Sequence, residues 1–188
     1  EAKHWRGGVR LIFQPSAEAQ DDYGVSGAAA MISDHALDNL DAVVALHIGA
    51  KKPSGIAQFC DGYAMAASDY FRAWIRGDGS HGAQPEKGRD PFFMLSAILP
   101  QIYGIPSRRI EPLEPCVISV GTIRGGGKPN IIPNEVFLDG TIRSFKPEVR
   151  ERIRDELEKA FETACTMGGS SDLEFDAGSP SLYNDARV

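Results

Sequence analysis

The sequence predicts two kinds of mixed fold in one chain, a parallel α/β layer followed by an inserted α+β domain. Two observations support this prediction. Near the start of the chain, a strand, a helix and a second strand follow one another with short connections, which is typical of a parallel layer. Over residues 64–177 the order is β-α-β-β-α-β, the split βαβ or ferredoxin-like arrangement of two helices on one face of a four-stranded antiparallel sheet.

The first 60 residues supply the elements of the predicted parallel layer. Two apolar runs, Val9 to Gln14 and Ala42 to His47, are short and almost uninterrupted. Such runs are typical of strands that are buried on both faces. Ser26 is a typical N-cap residue for the helix predicted between them.

The inserted domain follows from a change in hydrophobic period. Residues 70–76 alternate polar and apolar side chains, which predicts a strand with one buried and one solvent-facing side. Asp90 followed by Pro91 predicts the start of a helix. The prolines and glycines near residues 100–104 predict that this helix bends or ends there. Three further strands are predicted, over Cys116–Ile123, Glu135–Phe145 and Leu173–Asp176.

The clearest helix signal begins at Pro147. Apolar residues then recur at steps of three and four, which predicts one buried stripe along the helix. The Gly168-Gly169 pair predicts its end. The stripe contains Val149, Ile153, Leu157, Ala160, Phe161, Ala164 and Cys165.

Composition excludes several classes of protein. Hydrophobic residues make up 42% and charged residues 24% of the 188 residues, as in ordinary globular proteins. No run approaches the roughly 18 apolar residues that a membrane span requires. The net charge of −6 argues against a nucleic-acid partner, because phosphate binding requires clustered Lys and Arg. The chain begins at Glu1 rather than Met, so we expect it to be part of a longer protein.

The three cysteines are widely spaced and form no CxxC motif. They are Cys60, Cys116 and Cys165. An odd number without a disulfide-type or metal-type spacing predicts reduced, buried thiols. This pattern favours a cytoplasmic protein.

Two candidate metal ligands follow the predicted parallel strands. Glu18 lies just past the first strand and His47 ends the second, and ligands gather at the carboxyl ends of strands in an open parallel sheet. Zn²⁺ accepts carboxylate oxygen and imidazole nitrogen, so the pair could form half of a metal site. The alternative is a loop carboxylate and a hydrogen-bonded histidine at a strand end, since no HExxH-type motif is present.

Three residues of the inserted domain are candidates for substrate contacts. His81 lies between glycines, which let a ligand approach closely, and could donate a hydrogen bond to a developing oxyanion. Asn130 follows a glycine-rich loop. Arg143 ends an alternating strand, and its guanidinium fits a carboxylate through two hydrogen bonds. The alternatives are an exposed loop histidine and a surface arginine.

Taken together, these motifs resemble the M20 family of metallopeptidases. The likeness is to its amidohydrolase branch of aminoacylases, hippurate hydrolases and indole-acetyl-amino-acid hydrolases. The matching stretches occur in the order of the family over nearly the whole chain. They are residues 9–20 (VRLIFQPSAEAQ), 26–32, 41–49, 77–91, 129–136 and 140–150.

The resemblance implies a fold and an activity. Residues 1–62 would be part of a zinc-peptidase-like αβ catalytic domain, and residues 178–188 would return into it. Residues 63–177 would be an inserted ferredoxin-like lid that forms a homodimer. The full-length protein would hydrolyse the amide bond of N-acyl amino acids or small peptides with two divalent metal ions, Zn, Mn or Co. This chain alone, which need not bind metal, would be inactive.

The resemblance also implies roles for individual residues. Glu18 and His47 match metal ligands of the family. His81, Asn130 and Arg143 match lid residues that polarise the scissile carbonyl and hold the substrate carboxylate. In the family, the lid histidine reaches the active site of the partner subunit.

One departure from the family pattern concerns the general base. The tandem glutamates of the family are here replaced by Ala17 and Glu18, so that an alanine stands where the base is expected. Help from a general base is typically worth roughly 10²–10⁴-fold in rate. A non-catalytic relative that dimerises or binds ligands is therefore an alternative. A small-molecule-binding regulatory domain is a second alternative, which Glu18 and His47 disfavour.

Overall fold

The computed structural model describes residues 7–17, 24–49 and 53–188. It divides into two compact units, residues 1–54 with Val188 and residues 55–187. The predicted domain boundaries after residues 62 and 177 stay predictions. Within the described ranges, no helix combines the length and the apolar character needed to cross a membrane.

The described part of the first unit contains one helix, α1 (Gly27–Ser33). The hydroxyl of Ser26 accepts a hydrogen bond from the N–H of Ala29 at 3.2 Å, so the predicted N-cap is confirmed. Gly27 is required by close packing, because a Cβ atom there would lie 1.7 Å from the carbonyl oxygen of Pro15. The turn that contains Pro15 is thereby held against the start of the helix.

The two buried strands predicted for this unit, over residues 9–14 and 42–47, are wrong. Both segments are irregular, and their apolar side chains are exposed, by 83% at Phe13 and 95% at Leu46. A parallel strand is buried only when neighbouring strands pair with it and helices cover its faces. No segment among the described residues pairs with either run. The predicted parallel layer is therefore not formed by the described residues.

The second unit is built on a four-stranded antiparallel sheet with two helices packed on one face, in the predicted β-α-β-β-α-β order. Its elements are β1 (Gly62–Met65), β2 (Ala67–Arg76), β3 (Ser80–His81), α2 (Pro91–Arg108), β4 (Cys116–Gly125), β5 (Ile131–Ile132), β6 (Glu135–Ser144), α3 (Pro147–Thr166), β7 (Ser170–Asp176) and β8 (Leu182–Asn184). The strand order in the main sheet is β4-β6-β2-β7, and all neighbours are antiparallel.

The hydrophobic core lies between the two helices and one face of the sheet. Phe71, Ala73 and Ile75 of β2 are fully buried, which confirms the predicted alternation. Gly140 of β6 lies opposite Phe71, and a Cβ atom there would be 2.4 Å from the Phe71 ring. Burial of a large apolar side chain of this kind contributes about 1.5–3 kcal/mol. The helix α3 faces the same core with Val149, Ile153, Leu157, Ala160, Phe161 and Ala164.

Helix α2 starts as predicted and does not end near residues 100–104, so the predicted bend there stays a prediction. The carboxylate of Asp90 accepts a hydrogen bond from the N–H of Phe92 at 2.8 Å. The helix then continues through Pro100 to Arg108. A proline inside a helix costs about 3 kcal/mol. Burial of the isoleucines that follow Pro100 in the core offsets this cost, at about 1.5–3 kcal/mol for each side chain.

The cysteines are free, as predicted, but the prediction that they are buried is wrong. Cys60 and Cys165 are exposed and Cys116 is half-buried. Cys165 follows the buried Ala164 by one position, which turns its side chain about 100° around the helix and out of the apolar stripe. Cys60 lies in an irregular segment before β1. Partial burial raises the pKa of the Cys116 thiol.

The strands that enter and leave the sheet domain pair with each other. β1 and β8 form an antiparallel ribbon, in which Tyr63 lies opposite Tyr183 with ring centroids 5.1 Å apart. The N–H of Ser68 donates to the carbonyl of Ser179 at 2.9 Å. The chain therefore enters and leaves at the same end of the main sheet, next to the start of β2.

Candidate active-site residues

Only one of the two predicted metal ligands lies among the described residues. Glu18 lies outside the described residues, and His47 is exposed in an irregular segment rather than at a strand end. No group of three His, Cys, Asp or Glu in the described ranges could hold a metal ion. A zinc site needs three or four protein ligands. The described residues therefore do not fit a complete metal centre, and the assignment of Glu18 and His47 stays a prediction.

Ala17 ends a bend that begins at Pro15. The intervening Ser16 has a φ of 46°, which is uncommon for a residue other than glycine. The Ala17 side chain is exposed and has no group that accepts a proton. The described part of this turn therefore provides a close packing contact with α1 but no general base at position 17.

His81 lies on a small ribbon beyond the end of the main sheet. The short strands β3 and β5 pair antiparallel, with His81 opposite Ile131. One residue further along, the N–H of Gly82 donates to the carbonyl of Asn130 at 2.8 Å. The structure thus brings His81 and Asn130 together at one end of the domain.

The backbone next to His81 determines which ring nitrogen carries the proton. The N–H of Ala83 donates to Nδ1 of His81 at 3.1 Å. A neutral imidazole that accepts a bond at Nδ1 carries its hydrogen on Nε2, which is then free to donate. The ring borders an open pocket of about 450 Å³, lined by residues 79–81 and 131–134. An exposed N–H donor therefore lies at the edge of a concave surface.

Asn134 connects this ribbon to the main sheet and was missed by the sequence reasoning. Its carbonyl accepts the N–H of Gly77 at 2.9 Å, and its side-chain oxygen accepts the N–H of Gly79 at 2.7 Å. The available signal was Pro133, which removes a backbone donor from an otherwise strand-like run. The side-chain oxygen of the asparagine that follows supplies an acceptor where the regular backbone ladder is interrupted.

Arg143 lies near the opposite end of β6. It pairs with Ser68 of β2 and Val117 of β4, close to where the chain enters the sheet. The eight residue-to-residue steps from Glu135 to Arg143 span about 27 Å at about 3.4 Å per step. His81 lies beyond the Glu135 end. The structure therefore does not bring Arg143 together with His81 and Asn130 within one chain.

The charge of Arg143 is not neutralised in the part of the chain that the structure describes. Its side chain is exposed and makes no hydrogen bond or ion pair with another described residue. Arg76 of β2 differs, because it bonds Glu135 at 2.7 Å and also pairs with Asp172. The guanidinium of Arg72 lies 3.7 Å from a carboxylate oxygen of Glu174 and forms an ion pair with it. Arg143 therefore remains available for an anion from outside these residues.

Comparison with known proteins agrees with this fold. Residues 62–166 match the family model of the M20 peptidase dimerisation domain. The chain is 39% identical over 165 residues to thermostable carboxypeptidase 2 of Saccharolobus solfataricus, covering 88% of this chain and 41% of that protein. It is 34% identical over 184 residues to N-acetyl-L-cysteine deacetylase of Bacillus subtilis, covering 97% and 43%.

A solved structure shares the mixed α/β fold. The dinuclear metal-binding M20 peptidase of Bacillus subtilis superposes with a TM-score of 0.63 at 22% identity, over 83% of this chain and 38% of that one. The chain thus spans less than half the length of each of these three proteins. The match to the dimerisation domain covers more than half of the chain, which therefore belongs to the M20 peptidase family.

Proposed function

We propose that the full-length protein is a metal-dependent amidohydrolase that cleaves N-acyl amino acids or small peptides, and that this chain contains its lid and dimerisation domain. The observation that supports this proposal is the placement of His81 beside Asn130 on a ribbon beyond the sheet. The names of the two curated relatives, a carboxypeptidase and an N-acetyl-L-cysteine deacetylase, describe hydrolysis of amide bonds in molecules with a free carboxylate.

His81 and Asn130 would act on the scissile carbonyl. Attack on an amide develops negative charge on the carbonyl oxygen, and donors already in place stabilise that charge. The Nε2–H of His81 is such a donor, because Ala83 occupies Nδ1. The side-chain amide of Asn130 would be a second. Removal of one donor of this kind typically lowers kcat by about 10²–10³-fold.

Arg143 would bind the substrate carboxylate. A guanidinium offers two parallel N–H groups that match the two carboxylate oxygens. The absence of a carboxylate partner among the described residues leaves both groups for a ligand. Lysine at this position would keep the charge but lose the paired geometry.

One copy of the chain cannot place all three residues on one small substrate. His81 and Arg143 are separated by more than about 27 Å along the sheet, whereas an extended dipeptide spans only about 7 Å. We therefore propose that His81 and Asn130 of one copy act with Arg143 of a second copy.

Edge-to-edge pairing of β4 with β4 of a second copy would meet this requirement. Isologous pairing of two identical edge strands about a two-fold axis is antiparallel. Cys116 lies at the Arg143 end of β4, and Gly125 lies at the end near β5. Antiparallel pairing therefore brings the His81 end of one copy to the Arg143 end of the other.

The two edges of the sheet differ in a way that favours β4. Its exposed side chains include Val117 and Ile123, and helix α2 beside it exposes Phe92 and Tyr103 along one stripe. The β7 edge instead carries three exposed carboxylates, at Asp172, Glu174 and Asp176. Like charges opposite each other destabilise strand pairing. The β4 edge carries one charged side chain, Arg124, and no carboxylate, which favours pairing with its own copy.

We propose two divalent metal ions, Zn, Mn or Co, as cofactors of the full-length protein, with Glu18 and His47 among the ligands. Bound ions of this type supply a water of lowered pKa. The residues described here would contribute carbonyl polarisation and substrate orientation. We also propose a cytoplasmic location, which the three free thiols support.

Subunit mixing tests the proposed function. His81→Ala and Arg143→Ala would be prepared in the full-length protein with Ala17→Glu, and each variant alone is expected to lose N-acyl amino acid hydrolysis. Random mixing of the two is expected to restore about a quarter of the parent activity, because half of the dimers are mixed and each contains one intact site. No restoration in confirmed mixed dimers would contradict the shared site.

Ala17 supports a second candidate, a non-catalytic relative that binds carboxylates. Calorimetric titration of the full-length protein with N-acetyl-L-cysteine distinguishes the two. Binding without turnover, lost in Arg143→Ala and unaffected by Ala17→Glu, would favour this candidate. Turnover that appears with Ala17→Glu favours the amidohydrolase.

A further inference from the structure

The antiparallel pairing of β2 with β6 is interrupted at the end of the main sheet, before the β3–β5 ribbon that carries His81 begins. The β2–β6 pairing ends at Arg76 and Glu135, and the β3–β5 pairing begins at Ser80 and Ile132. Three residues separate the two ladders on one strand and two on the other, as in a β-bulge. Pro133 lies in this gap and has no N–H to donate. Regular backbone pairing therefore does not extend from the sheet to the ribbon.

Asn134 bridges this interruption. Its carbonyl oxygen accepts the N–H of Gly77 at 2.9 Å, as a ladder residue would. Its side-chain oxygen Oδ1 accepts the N–H of Gly79 at 2.7 Å, in place of a backbone acceptor. Two donors on the segment that leads to His81 are thus satisfied by one residue of the opposite strand.

Gly79 is the matched partner of this side chain. A Cβ atom at position 79 would lie 2.3 Å from Oδ1 of Asn134 and 2.8 Å from the carbonyl oxygen of Ile132. Only glycine therefore lets the N–H approach the amide oxygen at hydrogen-bond distance. Gly79 precedes His81 by two residues, so movement of this peptide moves the imidazole.

One other backbone contact among the described residues holds the segment before the ribbon, the bridge between Asp78 and Arg89, in which each N–H donates to the carbonyl of the other at 3.0 and 2.8 Å. The β3–β5 ladder has two residue pairs, and isolated two-stranded ribbons are marginally stable in water. On its far side, His81 is fixed by the bond from Ala83 to Nδ1. Between the Asp78–Arg89 bridge and the ring, the bond from Gly79 to Asn134 and the bond from Ala83 to Nδ1 are therefore the contacts that act closest to His81.

We propose that Asn134 is a positioning residue that holds His81 in place through the Gly79 amide. The catalytic value of this arrangement rests on the proposed function, while the arrangement itself is a property of this chain. A hydrogen-bond donor that is already ordered stabilises a transition state without a cost of reorganisation. Loosening the Asn134 bond would thus weaken catalysis by His81 without removing any group that touches the substrate.

Hydrogen exchange and NMR of the 188-residue chain test the arrangement directly. Asn134→Leu removes the acceptor at similar volume, and Asn134→Asp retains it. Amide exchange at Gly79 is expected to become about tenfold faster in the leucine variant, the effect of losing one hydrogen bond. The aspartate variant should stay near the parent rate. The ¹⁵N signals of the His81 ring should change from the Nε2–H form to a mixture in the leucine variant alone.

Asn184→Leu is the matched control for these measurements. It also removes a 2.7 Å hydrogen bond between an asparagine side chain and the backbone, here to the carbonyl of Cys60. It should leave Gly79 exchange and the His81 ring signals unchanged. Unchanged Gly79 exchange in Asn134→Leu would overturn the inference.

Kinetics of the full-length protein with Ala17→Glu separate this inference from the proposed function. Asn134→Leu should lower kcat by about tenfold with KM within about twofold, and Asn134→Asp should restore kcat. Gly79→Ala should reproduce the loss while Asn134 is intact. Faster exchange with unchanged kcat, where His81→Ala does lower kcat, would overturn the positioning role. An unchanged kcat in His81→Ala would instead reject the proposed function, and the exchange result would then decide the arrangement alone.

Discussion

Asp69 and Arg150 form a buried ion pair that joins strand β2 to helix α3 through two hydrogen bonds. Asp69 is only 1% exposed, and its carboxylate also accepts the backbone N–H of Gly178 at 3.2 Å. The guanidinium of Arg154 lies 3.9 Å from the same carboxylate. One side chain therefore fixes a strand, a helix and the segment that leaves the sheet after β7.

We predict that Asp69→Asn destabilises the chain by about 3–5 kcal/mol, because it leaves a largely buried arginine without its counter-charge. Urea unfolding followed by circular dichroism measures the change. Asp172→Asn is the control, since that carboxylate is exposed and pairs with Arg76 at the surface, where about 0–1 kcal/mol is typical. Equal effects of the two substitutions would contradict the structural role of Asp69.

A second prediction concerns the pH dependence of stability. The hydrogen bond from Lys159 and the nearby charges of Arg152 and Arg109 lower the pKa of Glu156, which is 8% exposed. A lowered pKa in the folded state stabilises the fold above the ordinary glutamate pKa, and this stabilisation is lost as pH falls through the lower, folded value. Glu156→Gln should therefore cost about 1–3 kcal/mol at pH 7.

The cost of Glu156→Gln should shrink progressively below about pH 4, near the ordinary glutamate pKa. Unfolding free energies of the two proteins at several pH values test this. Glu158→Gln, which alters an exposed glutamate on the same helix, serves as the control and should show no such trend. A difference that is independent of pH would show that Glu156 acts through packing rather than charge.

A third prediction concerns the folding of the sheet domain. Residues 64–177 alone should unfold cooperatively, because every residue of the hydrophobic core cluster lies within this range. Residues 55–187 should be more stable, since they retain the Ser179 and Gly178 hydrogen bonds and the β1–β8 ribbon. Thermal unfolding measures both. A broad, non-cooperative melt of residues 64–177 would refute autonomous folding.

A fourth prediction concerns assembly. The chain should form a dimer in light scattering, and Val117→Glu with Ile123→Glu should give a monomer of 20.4 kDa. These substitutions place carboxylates on β4 where an antiparallel copy would oppose them. Glu174→Gln on β7 is the matched control and should leave the dimer intact. A parent chain that stays at 20.4 kDa at high concentration would exclude this mode of pairing.

The fifth prediction concerns the general base. In the full-length protein, Ala17→Glu should raise the rate of N-acyl amino acid hydrolysis by about 10²-fold or more. Glu18→Ala in the same background should instead reduce metal content, because it removes a ligand. Rate assays and metal analysis separate the two effects. An unchanged rate with full metal content would mean that Ala17 does not occupy the position of the base.

The features predicted correctly from the sequence were those with a local physical cause. Two hydrophobic patterns predicted which side of an element is buried. They are the alternation from Tyr70 to Arg76 in β2 and the stripe from Val149 to Ala164 in α3. The runs at residues 9–14 and 42–47 failed, because an apolar run becomes a strand only if partner strands pair with it. Helix α2 passes Pro100 since tertiary burial outweighs a local helix breaker.

The candidate site was harder to predict, because its geometry depends on register and length. His81 and Asn130 meet through a ladder of two residue pairs, which is too short to produce a recognisable period. The separation of Arg143 from His81 follows from the length of β6, which a comparison of motifs does not measure. Asn134 was not identified from the sequence, because its side-chain bond to Gly79 depends on the interruption between the β2–β6 and β3–β5 ladders.

The unequal edges of the main sheet limit how far assembly can proceed. A sheet that adheres at both edges can recruit copy after copy into a growing fibre. Here β7 presents three exposed carboxylates, two of which are paired with Arg76 and Arg72, whereas β4 presents apolar side chains and one charge, Arg124. A second copy is therefore expected to join at β4 rather than at β7. Growth would stop once the two β4 edges are joined. The difference between the acidic β7 edge and the mainly apolar β4 edge thus favours a closed dimer over an open polymer.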